Sequence, residues 1–309
     1  MTQSVPSSTV RRAYWVAAIL TGVVVLMGSA VCATESGLAC PTWPGCFHDQ
    51  LTPTGTNSAI EFSHRVVAFL DLVSLAVASW LGRGLPDRRL RLFPVGALVA
   101  AIASGVFGMT IVLFGLPMVL GMVDVAAALV ALCLITAAAV WLSRPAVAGG
   151  TPLGRLGWTT VGAVIVMHLL GIVVAGEGSF VRCLGWPVWR VVDSDSFPGL
   201  QAVRLVLGVV AGALLVWLIV RTLPRPALRP WAVTLGLLWL AELVMGQVIV
   251  GQFTGGEPRH LALAAGYSML AGAMLWVLIL LTARASGEDG VTAPLSPDRE
   301  VSAAGAADC

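Results

Sequence analysis

Glu61 and His64 are the residues of this chain whose types and spacing are best suited to chemistry. They stand in Ile60-Glu61-Phe62-Ser63-His64-Arg65, at the start of an apolar stretch that otherwise reads as a membrane span. An ionisable side chain inside a bilayer costs about 2.5 to 3.5 kcal/mol on insertion scales, so a functional role is the default reading of each. On a helix, the i, i+3 spacing puts Glu61 and His64 on one face. That pairing suits a metal or haem ligand with an acid beside it.

The elements that position this pair are apolar helices. The chain has 309 residues, 58% of them hydrophobic and only 11% charged. Its mean hydropathy of +0.91 lies far outside the range of soluble domains. Eight stretches reach the roughly 20 residues needed to cross a hydrocarbon core, at about 13–33, 62–82, 92–114, 118–142, 157–177, 198–220, 231–254 and 261–283. The expected fold is an all-α polytopic membrane protein in which eight transmembrane helices form two repeated four-helix bundles. The first spans 13–142 and carries an extracytoplasmic loop at 34–60, and the second spans 157–284. A cytoplasmic N-terminus at 1–12, a linker at 143–156 and a disordered tail at 285–309 complete the expected layout. The first stretch is too long for the apolar segment of a cleavable signal peptide.

Orientation follows from arginine, since the chain has no lysine. Arg11 and Arg12 precede the first span, Arg83 to Arg91 fall between spans two and three, Arg144 and Arg155 between four and five, and Arg221 to Arg229 between six and seven. Those segments are expected on the cytoplasmic side of a bacterial-type cell membrane, with both termini inside. Cys40 and Cys46 then fall outside, where disulfides persist, and are expected to be bridged. Two free thiols, or a metal site assisted by His48, are the other readings. Cys32 and Cys133 lie in spans and read as small apolar residues. Cys183 reads as unpaired, and Cys309 lies in the tail.

The two halves match at a nearly constant offset. Ser63-His64-Arg65-Val66-Val67 aligns with Ala202-Val203-Arg204-Leu205-Val206, Gly108-Met109-Thr110 with Gly246-Gln247-Val248, and Cys40 and Trp43 with Cys183 and Trp186. Three matches in the same order indicate a duplicated bundle, whose facing helices can hold a haem or metal. His64 has Val203 as its repeat mate.

At these residues the chain resembles the haem A synthase family, membrane enzymes that oxidise a methyl group of haem O to give haem A. The marks are the segment from Ser36 to Cys46 (Ser36-Gly37-Leu38-Ala39-Cys40-Pro41-Thr42-Trp43-Pro44-Gly45-Cys46), Glu61-Phe62-Ser63-His64-Arg65, and the end of span seven running into Phe253-Thr254-Gly255-Gly256. The resemblance implies a loop disulfide at Cys40 and Cys46, Glu61 as catalytic acid and His64 as an axial ligand of haem iron. It implies haem b as cofactor at one well-ligated site, haem O and haem A as substrate and product, a membrane electron donor or acceptor, and haem O synthase as a companion; a nucleic acid partner is not expected. The family carries four ligand histidines, in spans two, four, six and eight. Here span four carries Asp124, span six offers Gln201, Val203 and Arg204, and span eight offers Tyr267 or Ser268.

The remaining ionisable residues each have two readings. Asp124 either ligates iron, to which carboxylate oxygen is poorly matched, or pairs with Arg65 or Arg204, the reading preferred because buried charges pair where they can. Arg65 and Arg204 suit haem propionates, since arginine binds carboxylates bidentately, while Arg65 equally suits a salt bridge to Glu61. His168, mid-span, is either a hydrogen-bonded core residue or a substitute ligand. His260 reads as interfacial, and Asp71 and Glu242 as acids that offset neighbouring arginines. The tryptophans mark span ends, apart from Trp43, Trp186 and Trp189, which are expected to lay the outer loops onto the bundles. Two competing functions stand beside the enzyme: a catalytically degenerate haem-binding or oxidase-assembly subunit, and a transporter using Asp71, Asp124 and Glu242 as a proton or ion relay.

Overall fold

The computed structural model describes residues 7–48, 53–115, 119–143, 151–174, 183–187, 198–252 and 258–288. Among them are eight α-helices and no strand: α1 (Ser8–Ala33), α2 (Thr56–Gly82), α3 (Arg88–Phe114), α4 (Val119–Ser143), α5 (Pro152–Val174), α6 (Pro198–Thr222), α7 (Arg229–Gln252) and α8 (Pro258–Glu288). All eight are long and apolar enough to cross a bilayer, so the chain is a multi-pass membrane protein. With no water in the hydrocarbon layer, only such self-satisfied helices can carry the backbone across.

Local sequence sets the helix ends. The Ser7 side chain accepts the Val10 amide at 3.4 Å to start α1, and Asp87 accepts the Arg89 amide at 2.8 Å to start α3. Inside α3, Pro94 has no N–H, which deprives the Leu90 carbonyl of its helical donor. The Tyr14 hydroxyl of α1 donates to that carbonyl at 2.7 Å. A break in one helix is thereby repaired by its neighbour, and Tyr14 is fully buried in doing so.

Helices α1 to α4 close a ring in which α1 touches α2 and α4, and α3 touches α2 and α4; α5 to α8 repeat that ring. The rings meet through α1, α4, α5 and α8. At this seam Trp276 Nε1 donates to Thr136 Oγ1 at 3.2 Å, and Trp141 Nε1 donates to the Ala283 carbonyl at 3.0 Å. Leu129, Leu132, Leu275 and Leu278 fill it, so one core runs across both bundles. Between transmembrane helices such close packing, rather than water exclusion, supplies the attraction.

Helices α1 and α2 start at Ser8 and Thr56, inside the expected N-terminus and outer loop, and two boundaries in the second bundle also differ from expectation. The last helix runs on to Glu288, with Ala285 and Ser286 buried, because Thr151 at the head of α5 donates to the Ala285 carbonyl at 3.0 Å. Helix α5 likewise starts at Pro152, inside the expected linker. Trp189, the Phe253–Gly256 segment, Cys309 and the tail beyond 288 lie outside the described residues, and of His260 only the backbone is described.

Candidate functional site

Glu61, His64, Arg65, Asp124, His168 and Arg204 lie toward one end of their helices, the end that also carries both disulfides. In the first bundle, Glu61 is 6% exposed and its Oε1 accepts Arg65 Nε at 2.7 Å, the one ion pair among the described residues. Arg65 spends its other donors on the outer loop: Nη1 donates to the carbonyls of Thr42 at 2.6 Å and Gly45 at 2.9 Å, and Nη2 to that of Cys40 at 3.1 Å. Four of its five N–H groups are therefore engaged. The Cys40–Cys46 disulfide closes that loop. Arg65 thus joins the acid to the loop, the salt-bridge reading, and keeps one N–H for anything else.

His64 stands between α2 and α1. A side-chain carbon at Gly28 would lie 3.4 Å from its Cε1 and 3.8 Å from its Nε2, so the glycine lets the imidazole rest against α1. The buried Nδ1 has no hydrogen-bond partner among the described residues.

Asp124 does not pair with an arginine. Ser104 of α3 donates a short hydrogen bond to its Oδ1. Asp71 is likewise satisfied without a cation: the Thr21 hydroxyl donates to Oδ1 at 2.9 Å and Ser74 donates to Oδ1 at 3.4 Å. Hydroxyls one helix away stabilise these carboxylates more cheaply than a buried guanidinium, which carries its own desolvation cost. Neither serine nor threonine stands out in an apolar span, which is why these partners were invisible in the sequence.

In the second bundle the polar side chains converge on backbone. The Gly185 amide donates to His168 Nδ1 at 3.3 Å, and Arg204 Nη2 donates to the Gly185 carbonyl at 3.1 Å. The Trp186 amide donates to Glu242 Oε1 at 2.7 Å, and the Tyr267 hydroxyl donates to the Trp186 carbonyl. Arg204 Nε also donates to the Met167 carbonyl at 3.3 Å. Since Nδ1 of His168 accepts, its ring proton sits on Nε2. Glu242 offsets no arginine by direct contact; it holds the loop.

The cysteine pairing differs from expectation in part. Cys40 and Cys46 are bridged as expected, but Cys32 at the end of α1 is bridged to Cys183, with Cα atoms 5.7 Å apart. Cys32 sits at the mouth of its span and within reach of the second outer loop, so it is neither a core residue nor is Cys183 unpaired. Cys133 is free.

A haem requires an imidazole nitrogen that no protein group has claimed. The first bundle meets this once, at His64, and Asp124 offers no second nitrogen. Among the described residues no three His, Cys, Asp or Glu side chains converge, so the site suits a porphyrin, which brings its own equatorial nitrogens, better than a bare ion. In the second bundle the candidate is His168, whose Nε2 likewise has no partner among the described residues but carries the ring proton, because Nδ1 accepts from the Gly185 amide. The repeat mate Val203 is 50% exposed on the outer surface of α6, and Tyr267 is committed to the loop.

No family model matches the chain. It is 27% identical to a Protoheme IX farnesyltransferase of Thermus thermophilus over 304 residues, which cover 89% of this chain and 48% of that protein. The chain thus spans about half the length of that relative. A Heme A synthase of Lysinibacillus sphaericus is 26% identical over 88% of this chain and 94% of its own length. A Heme A synthase of Halalkalibacterium halodurans is 34% identical over 97 residues, 30% of this chain and 33% of that protein. With an end-to-end likeness among them and eight membrane-length helices behind it, the chain is a distant relative of the haem A synthases.

Proposed function

We propose that the protein is a haem A synthase-like oxidoreductase that works in its first bundle on the methyl group of haem O. The observation that carries this reading is the buried Glu61 one helical turn from His64, whose ring nitrogen no protein group claims. Converting a methyl to a formyl group removes electrons and protons and adds an oxygen atom from water, and haem b, when bound, supplies the redox-active iron. His64 would hold that iron from one side. Glu61 would place negative charge where positive charge develops as hydrogen leaves the substrate carbon, an effect strengthened by the low dielectric around it. Arg65 orients Glu61 and fixes the Cys40–Cys46 loop above it. The electrons pass to a quinone or another membrane carrier.

Both disulfides sit at the helix ends opposite the arginine-rich loops. This supports a layout with the site toward the oxidising face of a bacterial-type membrane and both termini cytoplasmic.

The test is expression in a cell that makes haem O but lacks haem A, followed by extraction of the haems and their identification by mass. Haem A should appear with the native chain and not with Glu61→Gln. Haem that is bound but extracted unchanged would favour the second reading, a haem-binding or oxidase-assembly subunit, to which the missing histidines of the second bundle lend weight. A colourless protein would overturn both.

A further inference from the structure

The geometry points to Gly185 and Trp186 as a built-in occupant of the second bundle, a loop segment drawn in among its four helices to meet the polar side chains that a ligand would otherwise meet. Each of the four helices contributes one polar side chain, and all four reach the same two residues: His168 from α5, Arg204 from α6, Glu242 from α7 and Tyr267 from α8. Together they satisfy both amides and both carbonyls of the pair. A segment lying on the surface would be met by water instead, and buried backbone groups persist only when matched in this way.

Packing agrees with the hydrogen bonds. Trp186 is 7% exposed and meets Trp239 edge-on at 5.4 Å between ring centroids. Residue 185 must be glycine, because a Cβ there would lie 2.6 Å from the Tyr267 ring. Pro187 seats against Gly208 of α6 just as tightly. The Cys32–Cys183 bridge then ties the segment to α1, so it is anchored from both bundles.

This arrangement takes His168 out of iron ligation, although Arg204 Nη1 and Glu242 Oε2 are left buried without a partner among the described residues. His168 cannot bond iron through Nε2 while that nitrogen carries the proton left there by the Gly185 bond. Arg204, the mate of Arg65, has turned from an outer-loop anchor into an internal one. The second bundle then holds no porphyrin iron.

The inference is independent of what the first bundle does, and its test keeps the two apart. The full chain in lipid nanodiscs is followed by hydrogen–deuterium exchange with mass spectrometry across 183–187, and separately titrated with ferric protohaem. Exchange of the Gly185 and Trp186 amides should be slowed on the order of a hundredfold or more relative to an open loop. It should quicken in Glu242→Ala and, with less disturbance to folding, in Tyr267→Phe. The native chain should take one equivalent of protohaem and His64→Ala none. Amides that exchange at the open-loop rate, or a second equivalent that survives His64→Ala, would overturn the inference. Slow exchange with no protohaem bound at all would leave this inference standing and sink the haem reading of the first bundle.

Discussion

Arg65 and Arg204 occupy matching places in the two bundles, and each holds the outer loop of its own half by backbone carbonyls. The outcomes are opposite. Arg65 reaches up to Cys40, Thr42 and Gly45, the loop stays outside, and Trp43 is 46% exposed. Arg204 is 1% exposed, reaches Gly185 inside the bundle, and the matching Trp186 is 7% exposed. Cys40 pairs within its loop, whereas Cys183 pairs across the seam. In a duplicated helical scaffold the helices supply the same frame twice, and the two outer loops sit at different depths in it.

The sharpest way to break this comparison is at the imidazoles. His64→Ala should abolish haem binding, read as loss of the Soret band and of pyridine haemochrome. His168→Ala should keep the haem and instead release the Gly185 amide, at a cost of about 1 to 3 kcal/mol for the unmatched buried donor. If His168→Ala also empties the protein of haem, the two bundles do not divide the work as described.

The disulfides come next. Cys40 and Cys46 are six residues apart and Cys32 and Cys183 are 151 apart. By the loop-entropy rule the bridges are worth up to about 2 and about 5 kcal/mol respectively. Replacing both cysteines by serine should therefore lower the melting temperature in detergent more for Cys32 and Cys183. The same variant should raise proteolysis near residue 183, while the Cys40 and Cys46 variant should loosen only the first loop. Equal shifts would mean that the second loop is held by its hydrogen bonds alone.

Glycine gives a smaller and more local contrast. Gly185→Ala drives a methyl into Tyr267 and should cost about 1 to 3 kcal/mol as overpacking. Gly45→Ala in the first loop has no neighbour closer than the Phe47 carbonyl at 4.0 Å, so it should sit within about 0.5 kcal/mol of the native chain. Thermal unfolding of the two variants side by side measures this directly.

What the sequence made legible follows from where the physics is written. Eight spans were readable because apolar runs of membrane length have no other stable outcome, and Glu61 with His64 was readable because charge in such a run is rare. The Cys32–Cys183 bridge was not, since connectivity depends on which loop folds over which helix end. The Gly185–Trp186 segment was hidden for a related reason: its partners are backbone groups, which every residue has. His168, Arg204, Glu242 and Tyr267 were each visible as polar residues in spans, and what they converge on left no trace in their spacing. Pro94 is legible in the sequence as a break, because a proline inside a span requires a donor from elsewhere, and Tyr14 supplies it.

A last contrast tests whether the first bundle keeps Asp124 apart from the haem ligand set. Asp124 stands where a ligand would be expected in the fourth helix, yet Ser104 donates to it and Asp71 is met in the same way by Thr21. If both carboxylates are structural, Ser104→Ala and Thr21→Ala should behave alike. Each would remove one hydroxyl donor, from the partly buried Asp124 or from the buried Asp71, which keeps Ser74, at a cost of about 1 kcal/mol, and neither should move the Soret maximum of bound haem. A displaced Soret band in Ser104→Ala alone would show that Asp124 feels the iron. The fourth helix would then share the first-bundle pocket with His64, and the contrast between the bundles would extend from their loops to their helices.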